Sequence, residues 1–269
     1  MSSKGFRIVV AALFLALGHA RAGAAAASSG VPAGPDLTVG LRYVPPPFVG
    51  GAKVRTPESI ETLLAGEVAA RGQRRAKFVE LDATASSVSM DSVDFAVADL
   101  PKSQARQQDD GAIAIATGQV TRPMAIMRTD TDIKSWRQLK GRTVCLAQDG
   151  RYVGRIAERY GAIEQVYRAP ADSLLALRTG ECDAAVHDDT MLKALLRFPE
   201  WKKFSASLPP GEAAAQYFLV PAGNEDLAKQ LKEMVGRWKS QAYFHKLISD
   251  MTRDIAFEVY LDQTVPDCH

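Results

Sequence analysis

Short apolar runs alternate along the chain with segments whose apolar residues recur every three or four positions. Leu37–Tyr43 reads as a strand, and the Pro-rich loop Val44–Gly51 follows it. Pro57–Arg71 reads as a helix, with Pro in its first turn and apolar residues at Ile60, Leu63, Leu64 and Val68. Lys77–Leu81 and the almost wholly apolar Val93–Ala98 read as strands, the second as one buried on both faces. A short helix is expected from Ser103, and extended chain over Ala112–Ala116 and Pro123–Arg128.

The pattern then restarts. A short helix is expected at Trp136–Leu139 and a strand at Thr143–Ala147. Helix Arg151–Tyr160, strand Gln165–Tyr167, helix Asp172–Arg178, strand Asp183–Val186 and helix Thr190–Arg197 follow. Strand Gln216–Val220 and two amphipathic helices, about Glu225–Lys239 and Ala242–Met251, close the chain. Strands alternating with helices point to an α/β fold with mostly parallel sheets, and two such series point to two lobes with a cleft between them. In such sheets ligands sit beyond the carboxyl ends of the strands, so Asp149-Gly150-Arg151 and the acidic pair Asp188-Asp189 mark a place to look.

The N-terminus adds a compartment. Lys4 and Arg7 precede the apolar run Ile8–Leu17, and small residues follow, including Ala20-Arg-Ala22 and Ala22-Gly-Ala24. This is the pattern of a secretory signal peptide over 1–24, cleaved after Ala22 or Ala24. The run is short of the ~20 apolar residues that span a bilayer. Ala25–Pro35, rich in Gly, Pro and Ser, reads as a flexible lead-in over 25–35. Removing the signal takes away Lys4, Arg7 and Arg21 and leaves 30 basic against 31 acidic side chains. A nearly neutral chain offers no electrostatic case for binding nucleic acid or anionic lipid.

Three cysteines enter an oxidising compartment, so at least one is left unpaired in any intrachain arrangement. Cys145 and Cys182 fall in or beside two strands that could be neighbours, which makes Cys145–Cys182 the preferred bridge and Cys182–Cys268 the second choice. No C-x-x-C occurs, and His187, His245 and His269 show no ligand spacing, so neither a metal nor a cofactor is expected.

Over Leu37 to about Leu261 the chain resembles extracellular solute-binding protein family 3, the polar amino-acid-binding class. The resemblance rests on Leu37-Thr-Val-Gly with Pro47-Phe48, on Val93-Asp94-Phe-Ala96, on the run Trp136-x-x-Leu139-Lys-Gly141-Arg-x-Val144, and on Gly180-x-Cys182-Asp183-Ala. Some members also carry cysteine where this chain has Cys145 and Cys182. The resemblance implies a two-lobed, type II periplasmic-binding-protein fold, each lobe a mostly parallel sheet flanked by helices. It places lobe 1 at 36–118, lobe 2 at 119–215 and a return to lobe 1 at 216–269.

By the same resemblance Arg106 takes a ligand carboxylate, and Asp188, or Asp189 in the other register, takes an ammonium. Tyr43, Phe48 and Leu100 face the ligand from lobe 1, and Gly150 and Arg151 from lobe 2. The implied activity is periplasmic capture of a small polar solute, an amino acid or related anion, by a monomer serving the membrane permease of an ABC transporter. Two other readings stand beside it. One is a periplasmic accessory protein of an oxidoreductase system that binds a protein partner. The other is an enzyme like the cyclohexadienyl dehydratases, with Asp149, Glu181 or Asp188 as acid or base. Asp149-Gly150-Arg151 replaces the family's hydroxyl-bearing turn, and Arg151 beside a helix start suggests an additional anion contact.

Overall fold

A computed structural model describes residues 34–44, 46, 53–81, 90, 92–100 and 111–264. The signal-peptide residues, Phe48, Arg106, the helix expected from Ser103, and Cys268 lie outside the described residues. Among the described residues ten strands form two five-stranded sheets. The first contains β1 (Leu37–Leu41), β2 (Ala76–Glu80), β3 (Phe95–Leu100), β4 (Ala112–Thr121) and β10 (Ala214–Pro221), in the order β2-β1-β3-β10-β4. The second contains β5 (Pro123–Met127), β6 (Thr143–Ala147), β7 (Ile163–Tyr167), β8 (Ala184–Asp188) and β9 (Ala206–Ser207), in the order β7-β6-β8-β5-β9. In each sheet three adjacent parallel strands meet one reversed strand, β10 in the first and β5 in the second. The two halves thus repeat one topology, and the carboxyl ends of both parallel sets form the walls of one cleft.

The helices are α1 (Glu61–Arg71), α2 (Arg155–Tyr160), α3 (Pro170–Thr179), α4 (Asp189–Leu195), α5 (Glu225–Ser240) and α6 (Tyr243–Asp262), with short 3-10 segments at Trp136–Leu139 and Pro199–Phe204. Two helices begin later than the apolar spacing suggests. Helix α1 starts at Glu61 and not at Pro57, and the segment ahead of it is held across the cleft, where the amides of Glu58 and Ser59 bond to the Asp149 carboxylate. Helix α2 starts at Arg155 and not at Arg151, because Gly154 has φ +80° and a left-handed residue cannot continue a right-handed helix. Helix α6 runs beyond Met251 to Asp262, since Met251, Ile255 and Val259 extend its buried stripe.

Val39, Leu41, Phe95 and Val97 fill the first sheet's core, and Phe95 meets Phe218 edge to face. Trp238 of α5 stacks on Tyr243 of α6 over the same core. The second lobe buries Leu139, Val144, Leu146 and Val186 on one face of its sheet. Cys145 and Cys182 form a disulfide with Cα atoms 5.8 Å apart, joining β6 to the entry of β8. Among the described residues no helix is long and apolar enough to cross a membrane.

The chain passes between sheets at Arg122 and again between β9 and β10. Beside both crossings, β4 and β10 shift register around Ala215 and Tyr217. Gly118 there has φ +95°, a conformation that favours glycine. Asp189 is buried at the first crossing. Its carboxylate accepts from the Arg122 amide at 2.9 Å and from Lys193 Nζ at 2.6 Å, and its own amide donates to the Arg122 carbonyl.

Candidate functional site in the interlobe cleft

Every strand end bordering the cleft delivers a polar group. Arg42 follows β1, Asp99 lies near the end of β3, Asp149 to Tyr152 follow β6, and His187 and Asp188 end β8. The loop before α1 adds Glu58, and the first residue of α1 adds Glu61. Parallel strands direct their carboxyl ends the same way, so residues far apart in sequence converge there.

Arg151 is the centre of the cluster. Its Nη2 lies 2.9 Å from Asp99 Oδ2 on one lobe and 3.3 Å from Asp188 Oδ2 on the other. The guanidinium is deeply buried. Burial alone would lower its pKa, but Asp188 and Asp99 outweigh that and raise it. Asp188 also accepts from the Tyr152 hydroxyl at 2.5 Å. Burial pushes the Asp188 carboxyl up to about 6 against the opposing pull of Arg151. Burial and then the Asp188 charge raise the Tyr152 phenol, so this hydroxyl stays a donor.

Arg42 donates to the backbone carbonyls of Asp149 and Gly150. Gly150 is required at its position, because a Cβ there would sit 2.9 Å from both the Ala147 carbonyl oxygen and Glu58 Oε2. Asp149 is pushed up to about 6, by burial first and by the nearby Glu58 charge next. Glu61 is pushed up to about 8 by burial and by the adjacent Asp99. With both of those carboxyls ionised, neither Asp99 oxygen has a hydrogen-bond donor in good geometry. A proton held by Glu61 supplies one.

Glu58 reaches across the cleft from lobe 1. Its Oε1 accepts from the Asp188 amide at 2.8 Å and its Oε2 lies 2.9 Å from His187 Nδ1. Burial would raise the Glu58 carboxyl, but the charge and hydrogen bond of His187 and the Asp188 amide bring it below its ordinary value. His187 Nε2 lies 2.8 Å from Ser173 Oγ, which completes a Glu-His-Ser chain. This is not the arrangement of an activated nucleophile. Ser173 is fully buried, and its hydroxyl donates to the Pro170 carbonyl at 3.0 Å. Its single proton is therefore directed away from the imidazole, and Nε2 must carry the hydrogen between them.

The expected site residues separate clearly. Gly150, Arg151 and Asp188 come together in the cleft. Asp189 instead ties the interlobe crossing to α4, and neither it nor Asp188 caps that helix through its side chain. Tyr43 lies half-buried just past the end of β1, close enough to Asp149 for that charge to add to the burial that raises its phenol. Leu100 is half-buried at the end of β3 and pairs with Ala215 of β10. The anion contact suggested for Arg151 meets two carboxylates already in place. Of the acid–base candidates, Asp149 and Asp188 are in the cleft. Glu181 is exposed and bonded to Tyr167 and Thr179.

Arg42, Glu58, Glu61, Asp99 and His187 were not anticipated as site residues. The end-of-strand rule, applied to each strand, points to Arg42, Asp99 and His187. Glu58 and Glu61 were hidden within a segment read as an ordinary amphipathic helix.

The remaining cavity between the lobes measures about 10 Å³ and is lined by Glu58, Ile60, Thr121, Arg151, Asp188 and Gln216, among others. That is room for about one water. Several atoms around the cleft are buried without a hydrogen-bond partner: both oxygens of Asp99, Thr121 Oγ1, Asp149 Oδ1, Arg151 Nη1 and Gln216 Oε1. Among the described residues no group of three His, Cys, Asp or Glu side chains is placed to hold a metal ion.

No protein-family model and no curated protein matches the chain. Solved structures do match. A mutant of ArgBP from T. maritima aligns with TM-score 0.52 and 19% identity over 80% of this chain and 94% of its own. YckB of Bacillus subtilis aligns with TM-score 0.55 and 20% identity over 88% and 96%. AbpA of Streptococcus pneumoniae, an amino acid ABC transporter substrate-binding protein solved with L-arginine, aligns with TM-score 0.53 and 13% identity over 82% and 96%. At these identities the likeness is one of architecture, and with the repeated sheet order it establishes that the chain has the two-lobed periplasmic-binding-protein fold expected for solute-binding protein family 3.

Proposed function

We propose that this protein is an exported receptor that captures a small polar solute between its lobes and presents it to the permease of an ABC uptake transporter. The observation that carries this reading is the convergence of buried polar and charged side chains on one cleft from both lobes, some of whose atoms have no hydrogen-bond partner. Burying such atoms without partners is costly, so they concentrate where a ligand or ordered water completes them. The N-terminal pattern supports export, with cleavage after Ala22 or Ala24 and a lead-in over 25–35. Sheet membership supports lobe 1 from residue 36 to the crossing at Arg122 and again from Ala214, with lobe 2 between them, a few residues away from the expected 119–215. In this reading Arg106, Tyr43, Phe48 and Leu100 contribute from lobe 1, and Gly150 and Asp188 from lobe 2. The protein acts as a monomer, and the two chain crossings serve as its hinge.

The test is thermal unfolding of the mature protein against a panel of acidic, basic and neutral amino acids, with prephenate as a separate arm. A ligand at about 100 times its Kd stabilises by about 2.7 kcal/mol, or roughly 5–10 °C for a chain of this size. No shift with any panel member, for the wild type and for Arg151→Ala alike, would refute solute capture, and turnover of prephenate would replace it with the dehydratase reading. A second reading is favoured by Arg151, whose side chain fills the cleft. A receptor with its pocket occupied by its own side chain suits an accessory protein of a periplasmic oxidoreductase system, with a protein partner in place of a solute.

A further inference from the structure

We infer that Arg151 is a built-in occupant of the cleft: its guanidinium stands between Asp99 and Asp188 in the place of a small, cationic, donor-rich solute head group, which must displace it to bind. This rests on the receptor reading and adds to it a ligand class and a competitor. Three observations carry it.

The first is the charge of the cleft. Glu58, Asp99, Asp149 and Asp188 converge on it from both lobes, with Glu61 protonated beside Asp99. Arg42 is engaged with two backbone carbonyls, and His187 with Glu58 and Ser173. Among the described residues, Arg151 is the cation that bridges Asp99 and Asp188, one from each lobe. An anionic head group placed there would meet carboxylates, whereas a guanidinium or ammonium restores the arrangement Arg151 makes.

The second is that Arg151 leaves polar atoms around it unsatisfied. Its own Nη1, Asp149 Oδ1 and Gln216 Oε1 are buried without a hydrogen-bond partner. A free solute with several N–H groups can orient toward acceptors that the tethered guanidinium does not reach.

The third is the way Arg151 is mounted. It lies in the turn 151–154 ahead of α2, and Gly154 at φ +80° separates that turn from the helix. The side chain can therefore leave without unwinding a helix. While it stays, the cavity that it lines among the described residues measures about 10 Å³, room for about one water.

The experiment measures binding of methylguanidinium chloride at low millimolar concentration to the wild-type protein, Arg151→Ala and Arg151→Ala/Asp99→Asn, by calorimetric titration and thermal unfolding, with urea as the uncharged control. If Arg151 holds the site more than nine-tenths of the time, removing it tightens the apparent affinity by at least ~10-fold. Urea then gives no such gain, and the double variant loses it. Equal or weaker binding by Arg151→Ala than by wild type overturns the inference, as does a urea response matching that of methylguanidinium. Arg151→Gln, closer in size, carries the same expectation if the alanine variant does not fold. The outcomes separate from those for the receptor reading. An amino-acid panel that fails on wild type and variant alike refutes solute capture while leaving methylguanidinium rescue intact. A panel ligand with equal affinity for both proteins refutes self-occupancy and leaves solute capture standing.

Discussion

Replacing Glu61 by Gln removes a titration that the cleft makes unfavourable, and its effect on stability can be worked from the structure. Glu61 is 3% exposed and sits beside Asp99, and its carboxyl is pushed from an ordinary 4.5 up to about 8, by burial first and by Asp99 next. The folded state thus keeps a proton that the unfolded chain releases near 4.5. The stabilisation linked to that proton is fully present below about pH 4.5 and is lost as pH rises toward 8. Over the middle of that window the loss runs at about 1.4 kcal/mol per pH unit, so wild type gives up about 2–3 kcal/mol through this group between about pH 5 and pH 7. Glutamine matches the neutral form and cannot ionise. The variant's stability relative to wild type should therefore grow by that amount over the same interval. Urea unfolding at several pH values in this range measures it, and comparing the two proteins cancels the titrations they share. A difference that stays constant with pH would refute the claim that Glu61 holds a proton in the folded cleft.

Three further predictions follow from named contacts. Cys145→Ser with Cys182→Ser, or reduction of the wild type, should lower stability by about 4 kcal/mol in the chain-entropy description of a loop of this size, since the disulfide spans a sequence separation of 37; the denaturant midpoint with and without reductant checks this. Glu58→Ala, which leaves the Asp188 amide and His187 without their partner, should cost about 3–5 kcal/mol, read from equilibrium unfolding. Asp189→Ala should cost about 1–3 kcal/mol by freeing the Arg122 amide and Lys193, whereas lost solute affinity at unchanged stability would return Asp189 to the binding surface.

The alternation of apolar runs and helical stripes was legible because burial acts residue by residue. β6 at Thr143–Ala147 and the turn at Trp136–Leu139 lie where the pattern puts them. The long α6 continues a stripe visible in Met251, Ile255 and Val259. Helix starts were less legible. Helix α2 is stopped short by one glycine at positive φ, and the segment ahead of α1 is anchored to a carboxylate of the other lobe, neither of which appears as periodicity. Asp188 and Asp189 are neighbours with the same side chain, and only their directions out of β8 separate a cleft group from a crossing anchor.

The two-lobed α/β plan, several of the strand ends at which polar residues gather and a preference for Cys145–Cys182 over Cys182–Cys268 were readable from sequence, because these follow from local burial patterns and from family resemblance. Tertiary structure alone decided what those polar residues do. Arg151 could have offered its charge to an anion; it faces Asp99 and Asp188 because closing the lobes brings carboxylates from distant segments around it and excludes the water that would otherwise solvate them. Charge pairing and desolvation depend on distances across the cleft, and those distances exist only once both sheets are folded and face each other.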